Sequence, residues 1–157
     1  MAEPLIGSEL EEFLTGGQSV IVATRDAALT PRAVRACGLR VLPGDRLQLL
    51  LPRATAERSL EDLRDCGDVA VVVASPRTYR SVQLKGRFLS VADASPEDVI
   101  ASQEHLRAFS EAVVGHGMTR QHARNMWMFD CWRVEVQVTS VFVQTPGPGA
   151  GRKLERS

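Results

Sequence analysis

The stretch from Pro31 to Gly86 leaves few folds open, because it sets strand-like runs and one short helix in a row with only tight connections between them. Arg32–Val41 reads as a strand, Pro43-Gly44-Asp45 as a turn, and Arg46–Leu51 as the next strand. Thr55–Arg64 follows as a short helix, apolar at Leu60 and Leu63 and closed by Cys66-Gly67-Asp68. Val69–Ala74 is a continuous apolar run, which predicts a strand covered on both faces. Ser81–Val91 alternates, so that Val82, Leu84 and Gly86 face one way and Gln83, Lys85 and Arg87 the other. Phe88 and Leu89 break the alternation and predict a bulge. Strands that follow one another through short turns make a mostly antiparallel barrel, and the helices place it in the α+β class.

Ser8-Glu9-Leu10-Glu11 has a capping-box pattern, which predicts a helix capped by Ser8, with Leu10, Phe13 and Leu14 on one face and a stop at Gly16-Gly17. Ser19–Thr24 reads as a buried first strand, and Gly38 in the second allows close backbone approach. Ser95 with Pro96 behind it predicts a longer helix whose stripe is Val99, Leu106, Phe109 and Val113, ended by Gly115 and Gly117. Thr119 predicts the cap of a short helix to Asn125. Val134, Val136 and Val138 open the last strand, through Val143, and the Pro- and Gly-rich run from Thr145 to Gly151 reads as extended, before a charged end. Without a repeat or a second set of core elements, residues 1–157 are expected to make one domain of about six strands and two or three helices.

With 19 basic and 19 acidic residues, nothing in the charge balance draws the chain to nucleic acid or anionic lipid. Cys37, Cys66 and Cys131 are odd in number and widely spaced, which suits neither a disulfide framework nor a metal knuckle. Reduced thiols, no basic-then-apolar leader before Ser8 and no membrane-length apolar run together predict a cytoplasmic protein. There is no P-loop, GxGxxG or Ser–His–Asp order, and His105, His116 and His122 lack metal-binding spacing, so they read as surface residues with no metal site. The chemistry concentrates at Pro52–Ser59, where Arg53, Thr55, Arg58 and Ser59 stand at a helix start, whose free N–H groups and dipole favour an anion. The alternative there is a solvated helix start in which Glu57 and Glu61 pair the arginines.

This order of elements, closed by Tyr79-Arg80-Ser81-Val82-Gln83-Leu84-Lys85-Gly86, resembles the FMN-binding split-barrel proteins of the pyridoxamine 5′-phosphate oxidase-like superfamily. The resemblance implies a homodimer with FMN at its interface and the phosphate held by Arg53, Thr55, Arg58 and Ser59, where Arg58-Ser59 stands in place of the family's frequent Arg-Lys pair. It places the flavin ring against Val34, Arg35, Ala36 and Cys37, with Arg35, or Arg32 one step along, near the ring's N1/C2 edge. Ser81, Gln83 and Lys85 are the implied polar contacts from the later strand. The implied activity is that of an oxidoreductase passing hydride or electrons to a small-molecule redox substrate or electron donor. The substrate-binding C-terminal pattern of true pyridoxamine phosphate oxidases is missing, so that reaction is not expected. Alternatives within the same resemblance are the deazaflavin F420, held by Arg32, Arg35, Arg53 and Arg58, and a non-catalytic flavin or haem carrier. The large side chains from Met126 to Trp132 are read as the seam between subunits.

Overall fold

The computed structural model describes residues 3–156, which form α1 (Ser8–Leu14), β1 (Ser19–Arg25), β2 (Pro31–Arg35), β3 (Leu39–Leu42), β4 (Arg46–Pro52) and α2 (Arg53–Asp65). There follow β5 (Asp68–Ala74), β6 (Ser81–Asp93), α3 (Pro96–Val114), α4 (Arg120–Asn125), β7 (Cys131–Val143) and β8 (Lys153–Leu154). The strands pair antiparallel in the order β2-β1-β5-β6-β7-β4-β3, with β8 added to β7. The expected α+β antiparallel barrel is present, with more strands and helices than the sequence showed.

The predicted strand Arg32–Val41 is in fact two, β2 and β3, at opposite ends of the sheet order. Ala36-Cys37-Gly38 joins them and closes the barrel: the Ala36 amide donates to the Val20 carbonyl at 3.0 Å and the Cys37 amide to the Leu50 carbonyl at 2.8 Å. The corner is tight at Gly38, where a Cβ would lie 2.9 Å from Leu50 Cδ1 and the Leu50 side chain would have to shift.

Alternation along the strands fills the interior with Val20, Val22, Leu47, Leu49, Leu51, Val71, Val73, Leu84, Val134 and Val136. Each such side chain contributes about 1.5–3 kcal/mol by leaving water. Contrary to expectation, the apolar run of β5 is fully covered on one face only: Val69, Val71 and Val73 are buried while Ala70, Val72 and Ala74 are half-buried. The doubly covered strand is β4, where Leu50 packs outward against a second core of Cys37, Phe109, Val113, Ala123, Trp127 and Cys131. A run of valines identifies a strand, but only the neighbouring elements decide which faces they cover.

Two bulges bend β6, the expected one between Phe88 and Ser90 and another between Lys85 and Gly86. The first helix is capped by Gly7 rather than Ser8, with no side-chain cap bond, although Leu10, Phe13 and Leu14 are buried as expected. Capping boxes do start α3, from Ser95 and Asp98, and α4, from Thr119 and His122. The charged end hides β8, whose two residues are too few to show a period.

Two further expectations need correction. His105 is buried, not on the surface: its Nε2–H donates to the Gln18 carbonyl at 2.7 Å, and its ring lies 5.3 Å from that of Trp127. Trp127 belongs to this second core, its indole N–H donating to Ser102 Oγ at 2.9 Å, so the aromatic segment is not a single subunit seam. Met128 and Phe129 alone point outward from it as exposed apolar residues.

Candidate functional site

Strand β4 runs directly into α2, so Arg53 stands at the first helical position behind Pro52. The first-turn amides have no intrahelical acceptors and face outward with the positive end of the dipole. One is already satisfied, because the Arg53 amide donates to the Asp130 carbonyl at 3.0 Å. The Arg53 guanidinium is also engaged: it pairs with Asp93, donates to Asp130 Oδ1 at 3.1 Å and lies 5.0 Å over the Trp132 ring. The Asp93 hydrogen bond, ahead of the Asp130 charge, raises its pKa above the ordinary arginine value. Thr55 and Arg58 are exposed, and among the described residues neither has a side-chain partner. Glu57 and Glu61 pair neither arginine, so the helix start is exposed but carries no ion pair within the helix. Ser59 is buried beside Leu60 and Leu63, away from the face that carries Arg58.

Val34, Ala36 and Cys37 are buried, the first two in the barrel core and Cys37 in the second core beneath α3. The Cys37 carbonyl accepts from Ser102 Oγ of α3, and its sulfur accepts from the Met128 amide at 3.5 Å. Cys131 packs beside it and donates to the Met128 carbonyl at 3.3 Å. Hydrogen bonding from Cys131 lowers the Cys37 pKa below the ordinary thiol value despite burial, and the same contact raises that of Cys131. Arg35 is half-buried, reaching Ser19 Oγ at 3.2 Å with its guanidinium 5.7 Å over Phe109. Arg32 is held in a closed network, donating to Asp62 at 2.6 Å and Asp26 at 3.3 Å while Thr24 donates to Asp62 at 2.8 Å.

On β6, Gln83 and Lys85 share the outward face as expected. Ser81, near the strand's start, is buried, its amide and carbonyl both bonded to Thr145. Lys85 lines a shallow cleft with Arg25, Asp68 and Thr139, and Ser81 lines another beside Leu10 and Arg80. Neither cleft contains Arg53, Thr55 or Arg58, so the structure does not join the later-strand set to the helix-start set.

The outward face of the sheet holds a feature that alternation alone could not locate. Ile21 pairs with Val72 and Ala23 with Ala70 across β1 and β5, Val72 pairs with Gln83 across β5 and β6, and all five are half-buried. The result is a half-buried patch, apolar at Ile21, Ala23, Ala70 and Val72 and bordered by Gln83. Among the described residues no three His, Cys, Asp or Glu side chains are grouped to hold a metal ion, and no helix is long and apolar enough to cross a membrane.

No family model and no curated protein matches the sequence. Solved structures do. HupZ of Group A Streptococcus shares 15% identity at a TM-score of 0.57, over 93% of this chain and 99% of that one. A putative pyridoxamine 5′-phosphate oxidase from Lactobacillus delbrueckii shares 18% at 0.54, over 87% and 93%, and an F420 reductase 16% at 0.52, over 83% and 94%. An FMN-binding protein and a haem storage protein are also among the matches. The chain therefore adopts the split-barrel fold of these proteins.

Proposed function

We propose that this chain is a homodimeric, flavin-binding split barrel of the oxidoreductase type, with FMN as its ligand. The observation that carries the reading is Arg58, a guanidinium with no acidic partner among the described residues, exposed with Thr55 on the first turns of α2. A planar fork that can donate twice to phosphate oxygens, beside a hydroxyl and outward-facing amides, suits one compact phosphate. It suits F420 less well, because Arg32, Arg35 and Arg53, which would have to follow an extended acidic tail, are all engaged inside the subunit. Of the histidines, His105 is closed to haem iron, being buried and bonded to Gln18, whereas His116 and His122 are exposed.

Residues at the predicted site fit FMN in part. Arg58 and Thr55 would hold the phosphate, with Arg53 joining only by leaving Asp93 and Asp130. The Cys37 amide and carbonyl are already bonded, to Leu50 and to Ser102 of α3, so they are not free for the ring. Bound flavin would supply the redox chemistry, accepting and passing hydride or electrons for a small-molecule partner. The chain's own residues bind, orient and shield it, and the half-buried face around Val72 provides the seam of the dimer. FMN fluorescence titration tests the assignment. Saturable quenching is expected, and Arg58→Ala should weaken binding by about 1–3 kcal/mol, the scale of a charge-assisted hydrogen bond. Equal affinity in the two proteins would refute it.

A further inference from the structure

A cleft of about 500 Å³ lies between α3, α4 and the segment entering β7, within the size range of small-molecule sites. Its wall is apolar at Leu106 and Phe129, and Phe129 is 38% exposed. Its rim carries Arg107, Arg120 and Arg124. Arg107 is matched by Glu104 at 3.2 Å and Glu111 at 3.0 Å. Arg120 and Arg124 have no acidic partner among the described residues, and on one short helix they are four apart, the spacing at which like charges repel. The excess positive charge at the rim is therefore theirs.

Ser110 supplies an independent sign. It lines the same cleft, is 7% exposed, and its hydroxyl makes no hydrogen bond among the described residues. Every fully enclosed side-chain polar atom described does have a partner, so the Ser110 hydroxyl must be reached from the cleft. Solvent can reach it there, and a polar substituent of a bound molecule can take the solvent's place.

We propose that this cleft binds a small aromatic anion, its ring against Phe129 and Leu106, its charged head between Arg120 and Arg124, and a polar substituent on Ser110. The site is separate from the α2 start, since Arg53, Thr55 and Arg58 do not line it. It also does not depend on the flavin reading. An apolar wall with an uncharged rim would prefer a neutral aromatic; two unpaired guanidiniums select for a carboxylate, sulfonate or phosphate.

The test uses 8-anilinonaphthalene-1-sulfonate, with uncharged N-phenyl-1-naphthylamine as comparison, on the full chain without added FMN. Expected are saturable 1:1 binding of the sulfonate, weaker binding of the neutral compound, and amide shifts confined to α3, α4 and residues 128–130. The Arg120→Ala, Arg124→Ala double variant should lose about tenfold or more in sulfonate affinity at an unchanged melting temperature. Arg58→Ala should leave that affinity unaltered while weakening FMN, which separates the two sites. Phe129→Ser, a change of an exposed side chain, should weaken both compounds. Equal sulfonate affinity in the double variant, equal binding of the neutral compound, or shifts centred elsewhere would overturn the proposal.

Discussion

Asp98 joins three elements, and replacing it with alanine should destabilise the protein measurably. The carboxylate is 1% exposed; it accepts from the Ser95 amide at 2.8 Å as half of the α3 capping box and from Gln48 Nε2 of β4 at 2.8 Å. Arg133 reaches it at 3.4 Å and Arg40 at 3.6 Å. Losing the capping contribution costs about 0.5–1 kcal/mol. Leaving the buried Gln48 amide without its acceptor costs about 1–3 kcal/mol. Both arginines are a third or more exposed, so their combined share is about 1 kcal/mol at most. Release of a desolvated charge offsets part of this, leaving a net loss of about 2–3 kcal/mol, or about 4–12 °C in Tm for a chain of this size. Urea unfolding followed by circular dichroism should show the midpoint fall at an unchanged m-value. Burial pushes the Asp98 carboxyl up, but hydrogen bonds from Ser95 and Gln48 outweigh it and hold its pKa below the usual carboxylate range. Its contribution is therefore complete above about pH 4 and is lost as pH falls through the lowered value, so the two proteins should converge in acid. Asp98→Asn, which keeps an acceptor, should lose less than Asp98→Ala. A loss under about 1 kcal/mol in the alanine variant would refute the reasoning.

Gly86→Ala should cost more than about 3 kcal/mol, because the added Cβ would sit 2.2 Å from the Gln137 carbonyl oxygen, backbone that cannot turn aside; a variant that melts within a few degrees of the parent would show that the bulge relaxes. Burial, with Arg35 nearby, holds the His105 pKa below the usual imidazole value. Its contribution to stability is thus complete above about pH 6.5 and declines below it, by up to about 1.4 kcal/mol per pH unit, and His105→Gln should remove that slope in pH-dependent denaturation. Equal slopes would place the acid sensitivity elsewhere. On the proposal that the half-buried outer face is a dimer seam, Val72→Asp should shift sedimentation towards the monomer with little change in Tm; equal sedimentation of the two proteins would refute that seam.

Local pattern was enough for much of the fold. Period-two alternation marked β6 and β7, the Ser95-Pro96 signal marked the start of α3, and Gly38 marked a close approach. The candidate site was less legible. That Arg53, Thr55 and Arg58 stand at a helix start followed from Pro52 and the apolar spacing behind it, but nothing nearby in sequence announces that Asp93 and Asp130 occupy Arg53. Likewise Ser59 looked like a phosphate ligand and is packed inward, because the face a helix buries depends on the sheet beneath it.

Propensity, capping and period act over a few residues, so most strands and helices could be read locally, whereas the division of Arg32–Val41 into β2 and β3 and the two-residue β8 could not. Only the tertiary structure decided that Cys37 lies under α3, that His105 and Trp127 form a second core, and that Arg120, Arg124, Ser110 and Phe129 meet around one cleft. Those outcomes depend on contacts between residues far apart in the chain, whose energies come from closing the barrel and packing helices upon it rather than from any local preference.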